Sequence, residues 1–530
     1  HVTCPLCEAT CGLTVTTNGR AIEDIRGDRD DVFSAGYICP KAYALKELDA
    51  DPDRLRTPLI KRDGRFVPAS WDQPMLTGEF NSQGVTRLLE SYRAIPPDGT
   101  VRLAKKTSNL FRRRAANPHP GLDVSGLGGV VSVDPNARTA EVAGMCTYED
   151  LVAATLPYGL APLVVPQLKT ITLGGAVTGL GIESTSFRSG LPHESVLEID
   201  VLTGAGEIIT ATPTNEHADL FFGFPNSYGT LGYSVRLKIE LEPVKPFVEL
   251  RHVRFTDLES LVSTMTLIVD KKSYDGMPVD YLDGVVFSAD ESYLVLGRQT
   301  DDESIPLSDY TGNDIYYRSI QHDPSATPKT DRLTIHDYLW RWDTDWFWCS
   351  RAFGTQNPKI RRFWPRRWLR SSFYWKLIAL DHRYNIGDRL GARKGLPPSE
   401  RVVQDIEVPI DRTVEFVDWF LENVPIEPIW LCPLRLREPL PPGADPHRPW
   451  PLYPLDPGRT YVNVGFWSAV PVTPDQPGYA NRQIEKRVAE LKSGIDRTGE
   501  IDKPDLVASK LALSARTDDI RGFDVYIVTV

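Results

Sequence analysis

Four of the seven cysteines in this chain stand close enough to act together. Cys4, Cys7 and Cys11 fall within eight residues, in "HVTCPLCEATCGL", and Cys39 follows in "YICPKAYALKEL". Three thiolates from one tight turn and a fourth returning from farther along suit a cubane iron–sulfur cluster, in which each iron takes one cysteine. Structural zinc more often uses paired C-x2-C units on either side of the metal. The x3 step between Cys7 and Cys11 departs from that, which leaves zinc as the weaker alternative. Cys146, Cys349 and Cys432 are scattered singly, so the pattern is one of metal ligation rather than a disulfide framework, and a reducing, cytoplasmic setting is the expectation.

A second set of residues has the chemistry to hold phosphate. In "PQLKTITLGGAVTGLGIESTSFRSGL", Gly174, Gly175, Gly179 and Gly181 do not follow the G-x-G-x-x-G spacing of a dinucleotide turn. They read instead as an extended loop whose backbone N–H groups approach phosphate oxygens without a helix dipole, with Thr172, Ser184 and Ser186 adding hydroxyl donors. The polar turn "KKTSN" at 105–109 is placed to close over the same phosphates, and "NSYGTLGYSVRLKIEL" sets Gly229 and Gly232 before a strand. Each segment alone reads as an ordinary tight turn. The three in this order point to a pyrophosphate.

Groups able to move a proton or orient a substrate come later. Asp283 in "YLDGVVF", His336 and Tyr338 are the candidate acids, and Arg341 is a candidate anchor. They border "DYLWRWDTDWFWCSRAFGTQNPKIRRFWPRRWLRSSFYWK", residues 337–376, which hold seven of the twelve tryptophans; from Arg351 to Lys376 there are eight basic residues and no acid. Three readings stay open: a peripheral membrane patch anchored by Trp and Arg, ordinary packing with solvated arginines, and a nucleic-acid platform. A net charge of -11 argues against the last. The aromatic end, "YLWRWDTDWFW", is expected to line an apolar pocket.

The elements that must position these groups follow from periodicity. "VTRLLESYRAI" is amphipathic at helical spacing, Thr147 opens a helix that runs to about Leu156, and "RTVEFVDWFLENV" is a helix. "VELRHVRF", "YLDGVVF", "SYLVLGRQ", "RVVQDIEVPI", "PIWLCPLRL" and "YVNVGFW" alternate as strands. At 530 residues several domains are expected, and no apolar run reaches the length of a membrane span. The class is α+β, with boundaries at 1–72, 73–245, 246–470 and 471–530.

Two resemblances attach to these motifs. With "CGL" after Cys11, "CPKA" around Cys39 and "RLRTPLIKRDGRFVPASWD", residues 1–72 resemble the 4Fe-4S domain that opens molybdopterin (bis-MGD) oxidoreductases. That implies a [4Fe-4S] cluster on Cys4, Cys7, Cys11 and Cys39, with Lys41 between cluster and pterin, yet no pterin domain follows "PASWD". Instead "PQLKTITLGGAVTGLGIESTSFRSGL", "FPNSYGTLGY", "VVQDIEVPI" and "EPIWLCPLRLR" resemble the delta(24)-sterol reductase (Diminuto/Dwarf) family of the FAD-linked, vanillyl-alcohol-oxidase (PCMH-type) superfamily, over residues 84–484.

The second resemblance implies a PCMH-type FAD domain over 73–245 and a β-rich cap over 246–470. It implies FAD held by Thr107, Ser108, Asn109, Gln167, Thr172, Gly174, Gly175, Gly179, Gly181, Glu183, Ser184, Gly229 and Gly232. "KKTSNLF" carries no histidine for covalent attachment, so the flavin is expected to be dissociable. It further implies a sterol-like or other apolar lipid substrate, reduction or formation of a C=C bond, Asp283, Tyr338 and Arg341 as catalytic candidates, NADPH as a transient reductant, and a cytoplasmic protein with peripheral membrane contact through 337–376. Two alternatives accompany it: an iron–sulfur/flavin electron-transfer protein, or a chimeric chain in which the cluster domain is a passenger. The absent initiator methionine, the switch near Asp72 and the divergent 471–530 segment favour the chimera.

Overall fold

Along "FVELRHVRF", Val248, Leu250 and His252 are buried while the residues between them are half-exposed, the period-two pattern of a strand with one covered face. In a computed structural model, this strand and six others, most of them buried on both faces, pair antiparallel into one sheet. Its spatial order is Lys329–Thr334, Phe247–Phe255, Glu291–Thr300, Tyr281–Ser288, Ile429–Leu434, Tyr461–Pro471 and Ser399–Pro409. All six segments read as strands from their alternation are members of it.

The structure describes residues 1–4, 11–19, 21–32, 34–51, 59–62, 65–68, 78–96, 99, 101–105, 120–310, 314–321, 329–384, 386–393, 395, 397–453, 455–472, 476 and 478–493. The chain divides into two compact units, His1–Met75 and Leu76–Val530.

In the first unit, Val2–Thr3, Gly12–Asn18 and Ala21–Gly27 form a three-stranded sheet. Cys4, Leu13, Ile25, Ile38 and Ala42 make its small core, with Cys11 packed against them.

In the second unit, a smaller sheet runs Ile208–Ala211, Val196–Leu202, Tyr233–Pro243, Thr139–Ala143 and Val130–Asp134, with Leu160–Pro162 also paired to Tyr233–Pro243. The helix that Thr147 was expected to open runs Tyr148–Thr155, and the Thr147 hydroxyl accepts from the Asp150 N–H, as an N-cap should. Helix Leu258–Lys271 buries Leu258, Leu261, Val262, Met265, Ile268 and Val269, the i, i+3, i+4, i+7 stripe that covers one face of the large sheet together with Thr413–Asn423.

The glycine-rich segment departs from its expected form. Residues Leu173–Gly179 are a short helix, not an extended nest, and Thr172 caps it by accepting from the Gly175 N–H. The Gly174 N–H donates to Gly144 O and the Gly181 N–H to Ala176 O, so these donors are already bonded within the protein. The physical use of Gly174 is close approach: a Cβ there would lie 2.0 Å from Ser234 Oγ and 2.6 Å from Gly144 O. Gly232, at φ +135, meets Leu202 O in the same way at 2.3 Å.

Gly174→Ala should therefore destabilise the chain by about 1–3 kcal/mol, the usual range for overpacking. Ser234→Ala should restore part of that loss in the double variant, read by denaturant unfolding; additive losses would show that the Gly174–Ser234 approach is not the constraint.

Candidate active site

The loop that leaves the short helix turns back through Leu180 in the left-handed region, at φ +61. It is pinned to the large sheet where the Leu282 N–H donates to Ser184 O at 2.8 Å. That single strand-to-loop bond sets Glu183 and Ser184 beside Asp283, the next residue of strand Tyr281–Ser288. From the other side comes the short helix Ile335–Leu339, capped by Thr334, which brings in Tyr338 and, two residues beyond its end, Arg341.

The three catalytic candidates thus converge, and Glu183, assigned above to the cofactor, joins them. Arg341 Nη2 donates to Glu183 Oε1 and to Asp283 Oδ2, both at 2.9 Å. Tyr338 OH and Ser184 Oγ are 2.9 Å apart, and the Arg341 guanidinium stacks over the Tyr338 ring at 4.1 Å. Trp430 Nε1, from the neighbouring strand, donates to Asp283 Oδ2 at 3.1 Å. None of the four titratable residues is more than 3% exposed. His336, by contrast, sits at the surface beside Asp337 and takes no part.

One guanidinium faces two carboxylates here, away from water. Burial, with Asp283 adding to it against the pull of Arg341, holds the Glu183 carboxyl above the ordinary carboxylate range. Burial likewise keeps the Tyr338 phenol well above its usual range, so it stays protonated. Glu183 Oε1 is occupied by Arg341 and by the Ser184 N–H, whereas Glu183 Oε2 is buried without a hydrogen-bond partner among the described residues. A proton on Glu183 therefore belongs on Oε2.

Other buried polar atoms without partners among the described residues lie nearby in the fold: Gln167 Nε2, Asp283 Oδ1 and Arg341 Nε, then both ring nitrogens of His193, Asn226 Oδ1, Ser227 Oγ, Trp450 Nε1 and Tyr453 OH. The turns carrying Gln167 and His193 meet at Gly181, whose Cβ position lies 2.7 Å from Pro166 and 3.2 Å from Pro192. His193 stacks edge-on against Trp450 at 4.4 Å, and Asn226 Nδ2 donates to Leu452 O at 2.6 Å, which places the second group together. Each buried polar atom left unpaired costs on the order of 1–3 kcal/mol, so a line of them marks a seat for a polar, partly aromatic ligand. FAD fits that donor and acceptor set. His193, Asn226, Ser227, Trp450 and Tyr453 were missed by sequence; the one signal was a histidine inside "SGLPHESV", a stretch otherwise patterned for burial.

The remaining expectations divide as follows. Thr107, Ser108 and Asn109 lie outside the described residues, and so does Cys7. Thr172 receives a hydrogen bond from Lys105 Nζ at 3.2 Å. Gly229, at φ +81, belongs with Asn226 and Tyr228 to a run of left-handed residues in the loop before strand Tyr233–Pro243. Within "YLWRWDTDWFW" the later rings pack on one another, Trp342 stacking on Phe347 at 5.0 Å and Phe347 meeting Trp467 at 4.2 Å, while Trp340, Arg341, Asp343 and Thr344 line a cavity that is charged as well as apolar. That cavity, of about 440 Å³, is also lined by Lys169, His336, Arg367 and Arg370.

In the first unit, the Cys4 N–H donates to Cys11 O at 2.8 Å, and Ile38 and Ala42, which bracket Cys39, share the core with Cys4. The backbone of Ala42, whose N–H donates to Cys39 O at 3.0 Å, is the largest influence holding the Cys39 thiol below its usual range. Among the described residues, which include Cys4, Cys11 and Cys39 but not Cys7, no group of three or more His, Cys, Asp or Glu side chains is gathered to hold a metal ion, so the cluster rests on the spacing of the four cysteines.

Comparison with known proteins agrees with both readings. Residues 90–212 match the model of an FAD binding domain, and residues 1–48 match that of the molybdopterin oxidoreductase Fe4S4 domain. The chain resembles the delta(24)-sterol reductases. It is 25% identical over 354 residues to that of Arabidopsis thaliana, covering 64% of this chain and 61% of the relative, and 26% identical over 373 residues to that of Homo sapiens, covering 68% and 67%. Cytokinin dehydrogenase 6 of Oryza sativa subsp. japonica is 32% identical over 150 residues, 28% of each chain. This sterol-reductase-like chain spans between three-fifths and two-thirds of the length of those reductases.

Burial also makes His193 a pH sensor for stability. It pushes the imidazole pKa down to about 3 from 6.5. Below pH 6.5 the unfolded chain takes up a proton that the folded chain refuses, so stability from this group falls as pH drops toward 3. The denaturant midpoint of the wild type should fall between pH 7 and pH 4 more steeply than that of His193→Phe; parallel curves would show that His193 is not buried neutral.

Proposed function

We propose that the chain is an FAD-dependent oxidoreductase acting on a CH–CH or C=C bond of a sterol-like, apolar lipid. The observation that carries this reading is the buried cluster of Glu183, Asp283, Tyr338 and Arg341, set beside a line of unpartnered polar atoms, of which Gln167 and His193, with Glu183, fall in the stretch 90–212 that matches an FAD binding domain. FAD, when bound, supplies hydride transfer at its N5.

The chain's own residues have three tasks. Gln167, His193, Asn226, Ser227, Trp450 and Tyr453 would hold the flavin, with Thr107, Ser108 and Asn109 the expected pyrophosphate contacts. Glu183, whose carboxyl burial holds above the ordinary carboxylate range, is the proton donor at Oε2, because an isolated C=C bond is a weak electrophile and needs protonation as hydride arrives. Arg341 and Asp283 position Glu183 and exclude water, and Ser184 holds the protonated Tyr338 phenol in place beside Arg341. NADPH as reductant and dissociable FAD are part of the proposal.

Glu183→Gln should leave FAD absorbance intact and slow reoxidation of the reduced flavin by a lipid alkene by roughly 10²–10⁴-fold, with Tyr338→Phe slower by less. Unchanged rates in both variants, with flavin retained, would remove the cluster from the chemistry.

A second reading is favoured by the cysteine set of the first unit: a [4Fe-4S] cluster that relays electrons to the flavin from an outside reductase. Combined analysis should find about four irons per flavin, and Cys7→Ser should lower iron and slow flavin reduction by that reductase. FAD without iron in the intact protein would favour the chimera, with the cluster domain a passenger.

A further inference from the structure

Sequence placed a membrane contact in 337–376, yet the tryptophans at its start are interior. What the structure leaves at the surface lies farther on. Phe363 is 84% exposed, with Ile360 at 44%, Trp368 at 37%, Leu380 and Tyr384 at 47%, and Ile386 at 39%. We propose that this surface, residues 359–393, docks the protein on an anionic lipid bilayer, with the mouth of the Arg341 cavity opening within the docked face.

Continuity comes first. Trp368 stacks on Phe373 at 4.7 Å, which joins the 359–368 segment to helix Ser371–Tyr384. Phe373, Leu380 and Tyr384 stand at i, i+7 and i+11, which is one face of that helix. Ile386 opens the next helix, Ile386–Arg393, and packs no farther than two residues from Tyr384 along the chain. Six large apolar side chains are thus presented to solvent along one connected ribbon, in a protein whose remaining tryptophans are mostly interior.

Charge decides the occupant. Residues 359–393 contain ten Lys and Arg against two Asp, in a chain of net charge -11. Lys359, Arg362, Arg367, Lys376, Arg383, Arg389 and Arg393 are exposed between the apolar residues. Aromatic and aliphatic side chains interleaved with cations suit the headgroup region, where rings enter the acyl boundary and guanidinium groups meet lipid phosphate. An acidic protein is otherwise repelled from such a surface, so attraction must be local to this ribbon. No helix among the described residues is long and apolar enough to cross a membrane, so contact through this ribbon would be peripheral.

Position links docking to the site. Arg366, Arg367, Leu369 and Arg370, from the same ribbon, line the cavity that reaches Arg341. An apolar substrate would then pass from bilayer to cavity without crossing water. This last step rests on the lipid-substrate reading; docking does not.

Flotation of the intact protein with vesicles tests the proposal. It should bind vesicles containing phosphatidylglycerol at least tenfold more tightly than vesicles of phosphatidylcholine alone, and lose that preference in high salt. Phe363→Ser with Leu380→Ser, and separately Arg362→Glu with Arg389→Glu, should each lower binding tenfold or more, while Lys271→Glu should not. Circular dichroism and bound flavin confirm that the variants are folded. Equal binding to both vesicles, no binding, or undiminished binding in the variants would overturn the proposal, as would self-association removed by the same variants in place of vesicle binding. Turnover read on detergent-dispersed substrate separates the two readings: docking intact with no turnover faults the activity alone, and turnover intact with no docking faults the docking alone.

Discussion

A guanidinium held between two carboxylates inside a protein fixes its surroundings more firmly than any apolar contact. Arg341 bonds Glu183 from the glycine-rich loop and Asp283 from the large sheet, and Trp430 completes Asp283 from the next strand. Removing any one partner would strand a charge in a medium that cannot solvate it, a cost of several kcal/mol. Three distant stretches of chain are thereby locked at one point. Because two acids share one cation, the surplus negative charge is relieved most easily by a proton, and Glu183 is the group that burial has raised to accept it.

The glycine segment serves that point less by touching phosphate than by allowing close approach. Gly174 lets the short helix lie against Gly144 and Ser234, and Gly181 lets the loop pass between Pro166 and Pro192. The outcome is a narrow seam along which Gln167, Glu183 and His193 present atoms without partners. A fold that tolerates so many unsatisfied groups in one seam is organised around a ligand that satisfies them.

Strands and helices were legible in the sequence because period-two and period-3.6 patterns are local properties, and Thr147 with its helix is the plainest case. The convergence of Asp283, Tyr338 and Arg341 was legible only as a list of candidates, since residues 58 positions apart meet through sheet register, and the Leu282–Ser184 bond that adds Glu183 is at least as remote in sequence. The proton-holding role of Glu183 was hidden, because it depends on how many charges share a volume, which spacing cannot report. The tryptophan-rich stretch misled in the other direction. Its composition is that of an interfacial surface, but whether a ring faces lipid or its neighbour is settled by packing, and Trp342, Trp346 and Trp348 pack inward while Phe363 and Trp368 do not.

One buried cation faces two buried acids, and burial holds the Glu183 carboxyl above the ordinary carboxylate range, so Glu183 is the group expected to carry the shared proton. Infrared spectroscopy of the folded protein reads this directly through the C=O stretch of a protonated carboxyl group. A band of that kind should be present at pH 7, sharp and resistant to hydrogen exchange as befits a buried group, and absent from Glu183→Gln. Its absence from the wild type, or its persistence unchanged in the variant, would contradict the account.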